Sequence, residues 1–158
     1  MMVQTPNIFC LVKGAAEGNT RLNAFDNALL EAGVGDTNLM RMSSILPPGA
    51  EQVSVQDIQL PKGALIPLAY ATIDGVTPGR HISSAIAVGI PENQEEAGVI
   101  MEFEDHAALD TVEGIVRQMV IDAFDYRNRK LKEIKSIGIE HKVIRTGATF
   151  AAAVLWYK

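Results

Sequence analysis

The two adjacent serines Ser43 and Ser44 are the first candidates for covalent chemistry in this sequence. They stand just before the turn formed by residues 47–49, Pro-Pro-Gly. A serine hydroxyl becomes a nucleophile when a neighbouring group activates it. The sequence has neither a G-x-x-x-x-G-K phosphate loop nor a G-x-S-x-G elbow, so few other routes to covalent catalysis exist. A Ser-Ser dipeptide is common, however, and in isolation it is typical of a turn.

Metal chemistry has little support in the sequence. Cys10 is the only cysteine, which excludes an intrachain disulfide and a cysteine-based zinc cluster. The histidines, His81, His106 and His141, lack the spacing of a metal-binding motif. We therefore expect no metal site.

Two carboxylates lie in patterns that could remove them from bulk water. Asp26 follows Leu22 by four residues and precedes Leu29 by three, so helical spacing places it in an apolar stripe. In a strand-like segment, Val99, Met101 and Phe103 point to one face, and Glu102 shares the other face with Ile100 and Glu104. Partial burial and this like charge would raise the pKa of Glu102, as an acid working at neutral pH requires. The alternatives are an ordinary exposed helical Asp and a solvent-facing Glu on an edge strand.

Strands dominate the elements that must position these residues. Seven segments with β-forming composition and flanking turns are predicted as strands: residues 8–13, 37–43, 65–73, 81–90, 99–103, 136–144 and 149–157. A loop is expected at 14–18. The strand at 149–157 is small and apolar, which predicts burial on both faces.

Two segments have helical periodicity. The first is residues 22–30, with Gly33 placed as its C-terminal cap. The second lies between residues 110 and 129, where apolar residues recur at helical spacing through three turns. Many strands with two helices predict an α+β domain in which helices cover the outer faces of sheets.

Length and composition define the broad class. A chain of 158 residues fits one domain, 1–158, and its 47% apolar and 21% charged residues are typical of globular proteins. The net charge is −5 and no basic stripe is present, which disfavours nucleic acid. The basic cluster at 127–135 is expected to be the solvated end of a helix. No basic and apolar leader or membrane-length apolar run occurs, so we expect a soluble cytoplasmic protein with no membrane partner.

A set of motifs changes the interpretation of the two serines. Residues 23–26 (NAFD), 33–35 (GVG), 38–48 (NLMRMSSILPP) and 101–104 (MEFE) occur in one order and spacing. This set resembles the pyruvoyl-dependent arginine decarboxylase family, and the likeness extends from about residue 7 to the C-terminal residue 158.

The resemblance implies self-cleavage between Ser43 and Ser44. The Ser44 hydroxyl would attack the Ser43 carbonyl, turning the peptide bond into an ester. Elimination would then leave a dehydroalanine that hydrolyses to a covalently bound pyruvoyl group. The products would be a β chain, residues 1–43, and an α chain, residues 44–158. Asn38 matches the family residue that assists this cleavage, and it would have to reach Ser44 by folding of the strand and turn.

The resemblance also implies the reaction and its site. The pyruvoyl carbonyl would form a Schiff base with L-arginine and accept the electrons released as CO2 leaves, which gives agmatine. Glu102 matches the proton donor, and Asp26 matches the residue that binds the guanidinium group. The remaining substrate-binding positions are Leu22, Leu29, Gly35, Thr37 and Ser43. Arg21 could compete for Asp26 as an ion-pair partner.

The implied architecture is a four-layer αββα sandwich, self-cleaved into β and α chains and assembled as a homotrimer or hexamer. Active sites would lie between protomers. Two alternatives stay open on the sequence. One is a non-catalytic, unprocessed homologue that serves as a trimeric scaffold, and the other is a decarboxylase of another amino acid.

Overall fold

A computed structural model describes residues 3–158, which form two sheets and two helices. The elements follow in the order β1 (Ile8–Glu17), α1 (Arg21–Glu31), β2 (Asn38–Arg41), β3 (Ile45–Leu46), β4 (Glu51–Gln52), a 3-10 turn (Val55–Asp57), β5 (Leu65–Gly75), β6 (His81–Pro91), β7 (Gly98–Asp105), α2 (Leu109–Arg127), β8 (Leu131–Lys142) and β9 (Gly147–Trp156). All seven predicted strands and both helices are present. The short strands β3 and β4 were not predicted.

The strands form a five-stranded sheet, sheet A, in the order β2-β5-β9-β1-β4, and a four-stranded sheet, sheet B, in the order β3-β7-β6-β8. β2 pairs in parallel with β5, and β1 pairs in parallel with β4. The other neighbours are antiparallel. Strands β2 and β3 therefore each lie at an edge of a different sheet, and the chain passes directly from one to the other.

Three apolar clusters hold the layers together. Phe9, Ile86 and Ile100 belong to a cluster between the two sheets. A second cluster joins α1 to the outer face of sheet A, and a third joins α2 to the outer face of sheet B. The layer order is thus α1, sheet A, sheet B and α2, which confirms the predicted α+β class and the αββα sandwich.

Strand β9 is buried on both faces, as its composition predicted. Ala151 and Ala153 lie in the cluster between the sheets, whereas Phe150 and Ala152 face α1. Small side chains allow α1 and sheet B to pack closely on either side of this central strand. Among residues 3–158, neither helix is long and apolar enough to cross a lipid bilayer.

Helix α1 has the predicted extent, but its buried face differs from the prediction. Thr20 caps its first turn by accepting a hydrogen bond from Asn23 N, at 3.1 Å, and Gly33 follows its end with φ +85°. The buried residues are Ala24, Ala28 and Leu29, and Leu22 is 73% exposed. The prediction that Asp26 lies in a buried apolar stripe is therefore wrong for a single chain.

Close packing on β1 explains this difference. A Cβ atom at Gly14 would lie 2.2 Å from the Ala28 carbonyl oxygen, so helix and strand touch through their backbones. Only small residues fit at that contact, and the bulkier Leu22 and Leu30 face outward. Residues 14–17, expected to be a loop, continue β1 under the helix.

The basic cluster at 127–135 is only partly the helix end that was expected. Helix α2 stops at Arg127, and Asn128 adopts a left-handed conformation with φ 53° that ends it. β8 begins at Leu131, so the later basic residues lie on a strand. The cluster is divided between a helix end, a turn and a sheet.

Candidate active site

The Ser43-Ser44 segment is the crossing point between the two sheets. Met42 N donates to Leu68 O of sheet A at 2.9 Å, and Ile100 N of sheet B donates to Ser44 O at 2.9 Å. The dipeptide is thus held by a different sheet on each side. Such a tether restricts the ways in which the backbone can relax.

Ser44 has an uncommon backbone conformation. Its φ is +74°, in the left-handed region, and among residues 3–158 only Asn128 shares this property outside the glycines. A residue with a Cβ atom held there stores roughly 1–3 kcal/mol of strain, which persists only when the surroundings enforce it. The peptide proposed to break therefore joins a strained residue to its neighbour.

The Ser44 hydroxyl contacts a carboxylate from the adjacent strand. Ser44 Oγ donates to Glu102 Oε2 at 3.1 Å, and Glu102 pairs with Ile86 in the β7–β6 ladder. Alternation along β7 agrees with the prediction, because Ile100 faces the core between the sheets while Met101 and Phe103 face α2. The two residues are brought together across 58 positions of sequence.

Burial raises the pKa of the Glu102 carboxyl, while the Ser44 hydrogen bond and the nearby Arg41 charge act to lower it. Burial also raises the pKa of Glu104; Arg41 opposes that shift and the Glu102 charge adds to it. These directions agree with the expectation that Glu102 is a weakened acid. A carboxyl of this kind retains its proton to higher pH and can donate it.

Arg41, which was not among the predicted site residues, lies beside these carboxyls. Its guanidinium carbon lies 4.1 Å from the centroid of the Tyr70 ring, and Nη2 donates to Tyr70 O at 2.6 Å. Stacking and the hydrogen bond together fix the cation beside the two carboxyls. A single arginine in the apolar run of residues 39–42 was the available signal.

A cavity of about 250 Å3 adjoins the dipeptide. Its polar lining comes from Ser43, Ser44, Glu102 and Arg127, and its apolar wall from Ile45, Val99, Ile100, Met101 and Met119. A cavity with a few convergent polar groups and an apolar wall is the usual form of a small-molecule site. Arg127 was also missed, because its place in a basic cluster suggested only a solvated helix end.

Six of the predicted site residues lie on the α1–β2 side of sheet A, and none of them lines this cavity. They are Leu22, Asp26, Leu29, Gly35, Thr37 and Asn38. Asn38 Nδ2 donates to Gly63 O at 3.0 Å, at the far end of β2 from Ser44. The expectation that strand and turn would carry Asn38 to Ser44 is therefore wrong within one chain. Thr37 Oγ1 donates to Val34 O at 2.6 Å, closing a turn.

Gly35 and Leu29 have structural roles within the chain. A Cβ atom at Gly35 would lie 2.8 Å from the Cα atom of Leu30, so the turn requires glycine. Leu29 is only 7% exposed and packs in the core under α1. Asp26 and Leu22 are exposed on the same helix. Arg21 pairs with Asp74 and not with Asp26, so within residues 3–158 the Asp26 carboxylate has no ion-pair partner.

Together, these features define a class of enzyme. A strained serine that can supply a carbonyl, with an acid of raised pKa beside it, is what a pyruvoyl-dependent decarboxylase requires. Among residues 3–158, no group of three or more His, Cys, Asp or Glu side chains could hold a metal ion.

Comparison with known proteins specifies the family. The model for the family described as pyruvoyl-dependent arginine decarboxylase (PvlArgDC) matches residues 8–157. A pyruvoyl-dependent arginine decarboxylase of Methanocaldococcus jannaschii is 49% identical over 153 residues, which are 97% of this chain and 92% of that protein. One from Pyrococcus abyssi is 42% identical, covering 97% and 96%. The chain belongs to the pyruvoyl-dependent arginine decarboxylase family.

A solved structure of a pyruvoyl-dependent histidine decarboxylase at pH 8 aligns with a TM-score of 0.49 and 13% identity. The alignment covers 63% of this chain and 52% of that one.

Proposed function

We propose that this protein decarboxylates L-arginine to agmatine and CO2, using a pyruvoyl group formed from its own Ser44. The observation that carries the proposal is the left-handed Ser44, whose hydroxyl donates to Glu102. Family membership supports the substrate, since the relatives above are named for arginine. The product follows from loss of the carboxyl group.

Cleavage begins at the Ser44 hydroxyl. Its oxygen adds to the Ser43 carbonyl carbon, the carbon–nitrogen bond breaks, and the nitrogen of residue 44 takes the proton. Loss of the α proton of residue 44 then expels the Ser43 carboxylate and leaves a carbon–carbon double bond. Water replaces the nitrogen, which leaves as ammonia, and a ketone remains at position 44. Strain at Ser44 favours the first step, because breaking the peptide releases it.

The surroundings of Ser44 fit the group that this sequence of steps produces. The residue borders a cavity, and the backbone on both sides is anchored to a different sheet, so the two new chain ends stay in place. The pyruvoyl group supplies a carbonyl that reacts with the substrate amino group and accepts the electron pair left by CO2. Glu102 then delivers a proton to the substrate α carbon from within the cavity.

A complete site needs a second protomer. Asp26 and Asn38 lie on the α1–β2 side of sheet A, whereas Ser44 and Glu102 lie at the edge of sheet B. We assign guanidinium binding to Asp26 and assistance in cleavage to Asn38, and both residues would contribute to the site around the Ser44 of a neighbouring protomer. On the α1–β2 side, Leu22, Leu29, Gly35 and Thr37 would shape the substrate-binding surface through packing or backbone contacts. Ser43, which lines the cavity beside Ser44, completes the substrate-binding set.

An apolar surface supports this assembly. Leu22 is 73% exposed, Leu65 is 63% exposed and Met40 is 48% exposed, and β2 is an edge strand. Exposed apolar side chains beside an open strand edge are typical of an interface. The proposed assembly is a homotrimer, or a hexamer made of two trimers, in the cytoplasm.

The mass of the denatured protein tests self-cleavage. Wild type should give two chains, residues 1–43 and 44–158, the second lighter than its sequence because its first residue has become a ketone. Ser44→Ala should give one intact chain, since it lacks the attacking hydroxyl. A wild type that stays intact after long incubation would favour the scaffold alternative. Cleaved protein that converts another amino acid and leaves arginine unchanged would favour the altered-substrate alternative.

A further inference from the structure

We propose that Arg127 binds the α-carboxylate of the substrate and thereby distinguishes the amino acid from its amine product. This inference rests on the proposed function and assigns a role to a residue that the family motifs do not include. Arg127 is the last residue of α2, and it lines the same cavity as Ser43, Ser44 and Glu102.

The covalent structure of the substrate requires its carboxylate to enter this cavity. The amino nitrogen that reacts at position 44 and the carboxylate are attached to the same α carbon, so the two groups are only two bonds apart. The carboxylate must therefore lie close to residue 44. Arg127 is the only basic residue among those that line the cavity.

Arg127 is also available for a ligand. Its Nη1 donates to Ala123 O at 3.2 Å, which uses one of five guanidinium donors, and residues 3–158 supply no carboxylate within ion-pair distance. Other arginines are engaged: Arg129 pairs with Glu96 at 3.5 Å, and Arg41 stacks on Tyr70. The planar fork of a free guanidinium matches a carboxylate through two parallel hydrogen bonds.

Charge at the two ends of the site would orient the substrate. Arg127 attracts the carboxylate and repels the substrate guanidinium, while Asp26 of the neighbouring protomer attracts the guanidinium. The end of α2 carries partial negative charge that would oppose an anion, and Arg127 offsets it. Arginine therefore has one favoured direction in the cavity.

The kinetic effect should be mainly on binding. The carboxylate carries its full charge in the bound substrate and loses it as neutral CO2 departs, so the contact with Arg127 is strongest in the ground state. Removing such a contact raises KM and does not lower kcat. Agmatine has no carboxylate, so Arg127 forms no ion pair with the product.

Two unreactive ligands isolate this contact. δ-Guanidinovalerate is arginine without its amino group, and butylguanidine also lacks the carboxylate. Neither can react with a ketone through an amine. Their affinities for cleaved wild type, Arg127→Met, Arg127→Lys and the control Arg80→Met can be measured by calorimetry. Arg80 is an exposed residue on the turn before β6 and does not line the cavity.

We expect Arg127→Met to bind δ-guanidinovalerate roughly 10-fold to 100-fold more weakly and butylguanidine with unchanged affinity. Arg127→Lys should lose less, because it keeps the charge but not the fork. The arginine KM should rise in the same order as the loss in affinity. Cleavage of every variant, checked by mass, shows that each has folded.

Equal weakening of both ligands by Arg127→Met, or no weakening of either, would overturn the inference while leaving the proposed function in place. A cleaved wild type that binds neither ligand and does not decarboxylate arginine would instead overturn the proposed function, and the inference with it.

Discussion

The Ser44 hydroxyl donates a 3.1 Å hydrogen bond to the Glu102 carboxylate, so the proposed source of the ketone touches the proposed acid before the chain is cut. This contact acts to lower the pKa of Glu102, against the larger effect of burial, which raises it. Conversion of Ser44 removes the hydroxyl. Processing should therefore raise the pKa of Glu102 further and prepare it to hold a proton.

Glu102→Gln should separate cleavage from decarboxylation. Glutamine keeps an oxygen that accepts the Ser44 hydrogen bond, so the two chains should still form. It has no proton to donate near neutral pH, so agmatine formation should fall by roughly two to four powers of ten. Mass and product assays on the same sample measure the two properties. Normal turnover by fully cleaved Glu102→Gln protein would remove Glu102 from the mechanism.

Arg41→Met should change the pH dependence of turnover. Activity requires protonated Glu102, so kcat falls as pH rises through the pKa of this group. Arg41 acts to lower that pKa, and its removal should move the falling limb to higher pH. Arg41 also acts to lower the pKa of Glu104, so its removal should raise the pKa of Glu104 as well.

Arg41→Lys is the matched control for that prediction, because it keeps the charge and should shift the limb less. The measurement is kcat against pH for cleaved protein at saturating arginine. If the falling limb of the kcat–pH profile moved to lower pH in Arg41→Met, the effect assigned to Arg41 on the pKa of Glu102 would be contradicted.

Asp26→Asn should weaken arginine binding in the assembled enzyme. The change removes the charge and keeps the shape, and loss of one partner of a desolvated ion pair costs about 2–5 kcal/mol, or roughly 30-fold to several thousand-fold. The guanidinium lies far from the breaking bond, so its contact with Asp26 should be similar in the ground state and the transition state. The arginine KM should therefore rise while kcat stays unchanged. Glu95→Gln, which removes one charge from an exposed turn, is the control. Unchanged arginine kinetics in Asp26→Asn would end this assignment.

Ser44→Gly and Ser44→Ala should differ in stability although neither can cleave. Glycine adopts φ +74° without a steric penalty, whereas alanine keeps the strain of a Cβ atom there. After allowance for the greater freedom of unfolded glycine, the Gly variant should have a free energy of unfolding higher by about 0.5–1 kcal/mol. Denaturant unfolding of both variants measures the difference. Equal stabilities would argue against backbone strain at the cleavage site.

The sequence by itself determined the family and most of the elements. The motifs at 23–26, 33–35, 38–48 and 101–104 indicated the two serines and the acid as a set. Alternation placed Glu102 on the same face of its strand as Ile100, and composition predicted that β9 is buried on both sides. These are local properties, because side-chain periodicity and turn chemistry depend on neighbours along the chain.

Tertiary structure decided which residues meet. The side chains of Leu22 and Asp26 face outward because helix α1 packs on β1 through the contact of Gly14 with Ala28. Asn38 is separated from Ser44 because β2 pairs with β5. The positions of Arg41 and Arg127 beside the site depend on packing between elements distant in sequence. Periodicity states which face of an element a residue occupies, but only packing of the layers determines what that face contacts.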